Sequence, residues 1–205
     1  MMDLIAAERR ALADVLGGLG DAQWHEPSLC TGWTVAHVAA HLTMPFRISA
    51  DEFAAGLQEA RGQFTEFSDA VADRDSRLPQ ADLVAALRDN ADNPWSPPGG
   101  GLAGALSHDI IHGLDITWPL GIDRQPAGPA MSTVLDLIVS PGDRSLFGFP
   151  LDGLELRASD LDWSSGRGAA VAGRGRDLLP LLAGRPIPGE LFSGAGTQRL
   201  GARTR

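Results

Sequence analysis

Five histidines punctuate this chain, at positions 25, 37, 41, 108 and 112, and four of them fall into two pairs with H-x-x-x-H spacing. The second pair, His108 and His112, lies in the apolar run SHDIIHGLD. On a helix, residues four apart share a face at about 5–6 Å between Cβ atoms, close enough for two imidazoles to hold one metal ion. Such a pair also arises where two polar residues merely share a solvent face. Ile111, Leu114 and Ile116 around the pair, and Ala105 one turn earlier, argue for a buried setting. A third ligand must then come from another element. His37 and His41 both occur in VAHVAAHLT, where Val35, Val38 and Leu42 mark the apolar stripe, with His41 on its flank and His37 one turn before. Spacing leaves the choice between them open. His25, in a loop beside Trp24, reads as a polar loop residue.

Other residues are weighed on the same terms. Asp115, three after His112, can accept the non-ligating imidazole N–H and fix its tautomer, or simply pair with an arginine. Asp109 directly follows His108 and is expected to point away from the site. Trp33 is expected to pack the end of a helix, with stacking on a substrate as the alternative. Cys30 is a conceivable nucleophile or fourth ligand, but nothing adjacent would activate its thiol, and a small buried hydrophobe is the expectation. Arg47, Arg167 and Arg174 are candidates for binding an anionic group, each also readable as a surface residue. GRGAAVAGRGR matches neither a P-loop nor a dinucleotide fingerprint, which removes a phosphate-cradle reading. No catalytic acid, base or nucleophile is assigned.

The elements that must position these residues are mostly helical. Leu4, Ile5, Leu12, Val15, Leu16 and Leu19 recur at helical spacing over residues 3–19. Thr31 or Thr34 can cap a second helix running from residue 34 towards residue 60, kinked at Pro45. Residues 80–91 predict a third helix. The breaker-rich NPWSPPGGG then precedes a fourth, LAGALSHDIIHGLDITWPLG. Four helices with these connections predict a bundle, whose interior commonly holds metal sites. Beyond residue 124 the pattern changes to a short helix in PAMSTVLDLIVS and an alternating strand in LDGLELRASDLDW. An apolar run, GAAVAG, and a short helix in RDLLPLLAGR follow. The fold class expected is α+β: a four-helix bundle over residues 1–124, a small α+β domain over 125–190, and a flexible Gly-, Thr- and Arg-bearing tail over 191–205.

Composition narrows the classes of function. The net charge of -9, with all 17 basic residues arginine, offers no positive footprint for a nucleic acid. One cysteine precludes an internal disulfide framework and fits a reducing cytoplasmic setting. The charged N-terminus is not a secretory signal, and no run approaches the length of a membrane span. A monomer or homodimer is expected.

Two motifs carry a resemblance. CTGWTVAHVAAHL over residues 30–42, followed by HDIIHGLDI over 108–116, resembles the DinB-like four-helix-bundle superfamily. It looks closest to the branch named for mycothiol-dependent maleylpyruvate isomerase, whose second helix opens on C-x-G-W-[ST]-V-x-x-V-x-x-H-[LI]. LRASDLDWSSGRG and RDLLPLLAGR are similar to that family's small second domain, so the likeness spans about residues 3–190. It implies His41, rather than His37, as the third ligand beside His108 and His112, with a divalent metal, usually zinc, and mycothiol as thiol cosubstrate. One departure stands out: the isomerase branch usually has glutamate where this chain has His108. Three neutral ligands leave an ion its full +2 charge, which makes it a stronger Lewis acid and argues against carrying over the isomerase reaction unchanged.

The function expected is thiol-dependent chemistry on a small electrophile, either S-transfer or isomerisation by reversible addition. One alternative is a hydrolase or amidase in which the metal activates water, for which Asp115 is the only nearby base and a poor one. The other is a non-enzymatic metal- or small-molecule-binding module, whose ion would be closed off by a fourth protein ligand such as His37 or Cys30.

Overall fold

The computed structural model describes residues 1–140 and 151–201. The chain divides into two compact units, Met1–Asp123 and Arg124–Arg205. Among the described residues no helix is long and apolar enough to cross a membrane.

The first unit is helical throughout. Its helices are α1 (Met2–Gly17), α2 (Asp21–Trp24), α3 (Val35–Arg47), α4 (Ala50–Glu59), α5 (Phe64–Asp75), α6 (Gln80–Asp89) and α7 (Gly101–Thr117). Helices α1, α6, α3 and α7 form a closed ring in which each packs on the next. Their apolar stripes meet in a core that includes Leu12, Leu16, Val35, Val38, Leu42, Leu83, Leu87 and Ile116, with Trp24 of α2 buried against it. Removing these side chains from water drives the bundle together.

The expected kinked helix is two helices. Pro45 occupies the last turn of α3, which stops at Arg47. The chain then restarts at Ser49, whose Oγ accepts from the Glu52 amide while the Glu52 carboxylate accepts from the Ser49 amide. This reciprocal S-x-x-E capping supplies a new N-terminus where the proline had removed a helical bond. Helix α5 was not expected. It packs against α3 through Phe67, Val71 and Ala72, and most of its remaining surface is polar and exposed.

In the second unit α8 (Gly128–Val139) precedes strands β1 (Leu154–Ala158), β2 (Ser164–Gly166) and β3 (Ala169–Gly173). The sheet order is β2-β1-β3, with β1 antiparallel to β2 and parallel to β3, so that Leu156 lies opposite Ser165 on one side and Val171 on the other. Helix α9 (Gly175–Leu182) packs on α8. The segment expected to be a flexible tail is ordered as far as residue 201. A short 3-10 turn spans Gly189–Leu191, Ser193 bridges Ala172, Phe192 and Leu200 are buried, and α10 covers Thr197–Gly201. Its glycines permit close approach: Gly194 has φ +109°, and a Cβ there would fall 2.3 Å from the Ala170 carbonyl oxygen.

Candidate metal centre

Helix α3 presents His41 and the facing helix α7 presents His108 and His112. Val35, Val38 and Leu42 on α3, and Ile110 and Leu114 on α7, are buried to within 1% of complete, which locks the rotation of both helices. His41, on the flank of its stripe, is buried, and the two α7 histidines are half-buried. The three rings form a near-equilateral triangle, with centroids 4.7 Å apart for His41–His112 and 5.0 Å for each of the other two pairs. One ligand atom from each of the three lies within 4.8 Å of the others.

Each ring is held from behind. Ser68 Oγ of α5 lies 2.9 Å from His41 Nδ1, Asp109 Oδ1 lies 3.0 Å from His108 Nδ1, and Asp115 Oδ2 lies 2.9 Å from His112 Nδ1. The carboxylates at Nδ1 of His108 and His112 favour a proton there, which leaves their Nε2 lone pairs for a ligand, and the Ser68 hydroxyl can accept from His41 Nδ1 in the same way. The Nε2 atoms of His41 and His108 are 3.2 Å apart. A tetrahedral zinc at about 2.0–2.1 Å from each nitrogen requires about 3.3–3.4 Å between ligand nitrogens, so the residues present fit such an ion with little movement. Burial, and secondarily the neighbouring His112 and His108, hold the His41 imidazole well below its ordinary pKa. That keeps it neutral and available as a ligand.

The position of Asp109 corrects the expectation that it points away. Its carboxylate, 1% exposed, reaches back to His108 with one oxygen and takes Arg9 Nε at 2.7 Å with the other. Arg9, from α1 and wholly buried, also donates to the carbonyls of Asn90 and Asn93 and lies over the Phe46 ring. Asp115 meets the expected geometry behind His112 and accepts from Cys30 Sγ at 3.0 Å.

The remaining candidates separate clearly. His37 Nδ1 accepts from the Thr34 amide at 3.3 Å and lies 2.8 Å from the Thr34 hydroxyl, so it caps the start of α3. Cys30 lies 3.9 Å from His112 Nδ1 and forms with His112 and Asp115 a second group whose ligand atoms lie within 4.8 Å of one another. Trp33 packs its ring against His41, with centroids 5.2 Å apart. The Arg47 guanidinium is bound to Asp75 Oδ2 at 2.6 Å, to the Ala40 carbonyl and to Thr43 Oγ1, which clamps the end of α3. His25 is exposed at the end of α2. In the second unit Arg167 is exposed, and Arg174 donates to Gln125 and faces Asp160 at 3.7 Å.

The triangle borders a cavity of about 520 Å³. Met44, Pro45 and Ile48 of α3 and its end, Phe53 and Phe64, and Trp95, Pro97 and Pro98 supply most of its wall. Trp95 stands edge-on to His108 with ring centroids 5.3 Å apart. Sequence reasoning missed Trp95 because the surrounding prolines and glycines signalled only a break between helices.

Residues 5–93 match the sequence profile described as the Mycothiol maleylpyruvate isomerase N-terminal domain. The whole chain has the fold of a mycothiol-dependent maleylpyruvate isomerase. A crystal structure of that enzyme carrying a histidine-to-alanine substitution superimposes with a TM-score of 0.61, at 16% identity over 96% of this chain and 92% of the other. A second crystal structure of the isomerase gives a TM-score of 0.53 at the same identity and coverage. No curated protein sequence matches.

Proposed function

We propose that this protein is a divalent-metal-dependent enzyme that uses a low-molecular-weight thiol of the mycothiol kind to attack a small electrophile, by S-transfer or by reversible addition and isomerisation. The observation that carries the reading is the triangle of His41, His108 and His112 at the wall of a cavity, each ring backed at Nδ1 by an oxygen. An ion of the zinc class held there would act as a Lewis acid that deprotonates a thiol at its open position. His41, His108 and His112 hold their lone pairs in register. Ser68, Asp109 and Asp115 support the rings at Nδ1, and Trp95, Phe53 and Phe64 line the cavity beside them.

His37 and Cys30 are engaged elsewhere, which supports three protein ligands and an open position, as a catalytic rather than a structural site requires. The thiol reading is favoured over water activation because Asp115 is committed behind His112, and among the described residues lining the cavity there is no carboxylate. The family of residues 5–93 and the two solved isomerases supply the thiol; the substrate in their name is theirs. The test is metal analysis of natively purified protein, together with a titration by a small thiol monitored on the cobalt-substituted form. A stoichiometric ion, and a thiolate-to-cobalt absorption lost in His112→Ala, is the expected result. Protein without stoichiometric metal, or thiol-dependent turnover that survives His112→Ala, overturns the proposal.

A further inference from the structure

Resting on the reading of the triangle as the reacting end, we infer that the cavity selects an uncharged electrophile with a flat apolar body, and rejects carboxylate-bearing molecules such as the maleylpyruvate of the isomerase. Three observations carry this. First, the wall beyond the histidines is mostly apolar, with Met44, Ile48, Phe53, Phe64, Trp95 and prolines, its polar members are the uncharged Ser49 and Ser96, and among the described residues that line the cavity none is Arg, Lys, Asp or Glu. Second, two arginines of the same unit are held in ion pairs: Arg47 with Asp75, donating also to Thr43 and the Ala40 carbonyl, and Arg9 with Asp109, donating also to two carbonyls, its Nη2 buried without a hydrogen-bond partner and outside the cavity lining. A dicarboxylate entering here would lose water without gaining a counter-charge from the cavity lining. Third, the volume of about 520 Å³ suits a molecule of one or two rings, and Phe64, 48% exposed at the edge of the cavity beside Phe53, gains cover when such a ring is bound.

The test uses the full-length, metal-free protein at about pH 8, with calorimetric titration of two probes of one shape, 2-naphthalenemethanol and 2-naphthoate. The alcohol is expected to bind at least about tenfold more tightly than the carboxylate. Phe64→Arg, which places a cation at an exposed position on the edge, is expected to bring naphthoate to within about threefold of the alcohol, while Phe64→Gln leaves the preference intact. The inference falls if wild-type protein binds both probes equally or prefers naphthoate, if it binds neither, or if Phe64→Arg leaves the preference unchanged. Because no metal or thiol is present, failure of the thiol proposal leaves this readout unaffected, and the reverse also holds.

Discussion

Asp109→Asn tests the ligand support most directly, because one carboxylate serves both the fold and the site. Asparagine keeps the shape and can still present an oxygen to His108 Nδ1, but it removes the charge that Arg9 faces at 2.7 Å in a fully buried position. Breaking a buried ion pair from one side costs about 3–5 kcal/mol. Arg9 keeps the Asn90 and Asn93 carbonyls and the Phe46 ring, which places the loss near the lower bound of about 3 kcal/mol. For a chain of this length, that corresponds to a fall in Tm of about 6–12 °C, measured by thermal unfolding in excess chelator so that metal binding does not contribute. Loss of the anionic acceptor behind His108 should weaken zinc by about tenfold, or about 1.4 kcal/mol, in a competition titration against a chromophoric chelator well below Tm. Arg9→Met separates the two effects. It destabilises the fold comparably, yet leaves the carboxylate un-neutralised and more basic, so zinc affinity should be held or raised. Equal loss of zinc affinity in both variants would refute the argument, since it would mean that affinity merely follows stability.

In the metal-free protein His41 has a folded-state pKa below that of the unfolded chain, so the unfolded state binds the extra proton. Stability is therefore full above about pH 6.5 and is lost as the pH falls, by up to about 1.4 kcal/mol per pH unit, until the folded pKa is reached. Tm measured in chelator over about pH 5–8 reads this directly, and a profile flat below about pH 6.5 would contradict it. Asp115→Asn should weaken zinc by about 10–100-fold through His112, read by the same competition titration. His37→Ala removes a helix-capping contact and should cost about 0.5–2 kcal/mol in denaturant unfolding with metal content unchanged, whereas a loss of metal would make His37 a ligand.

What was legible in the sequence was whatever local spacing controls. The i, i+4 pair on α7 and the flank position of His41 follow from helical periodicity, as do α1, α3, α6 and α7 themselves. What was not legible depends on contacts distant in sequence. Neighbours on a helix diverge by about 100°, which is why Asp109 was expected to face away from His108. Arg9, a hundred positions earlier, holds that carboxylate on the His108 side of the helix, and nothing near residue 109 announces it. Ser68 was missed for a related reason. It lies on α5, whose apolar residues are too few to give a clear stripe, yet it is buried against His41.

The three supports also differ in kind, and the difference has a chemical consequence. His41 faces a neutral hydroxyl, His108 a carboxylate already neutralised by Arg9, and His112 a fully buried carboxylate to which Cys30 donates. Donor strength of an imidazole rises with the basicity of whatever accepts its second proton. If an ion is bound by all three, His112 would be the strongest ligand, His108 intermediate and His41 the weakest. In a site where His108 replaces the usual glutamate, the missing negative charge is returned in part from behind the rings, out of reach of an incoming substrate. An ion held by these three residues would keep neutral protein ligands, and the charge that supports them would lie behind the rings, away from the cavity.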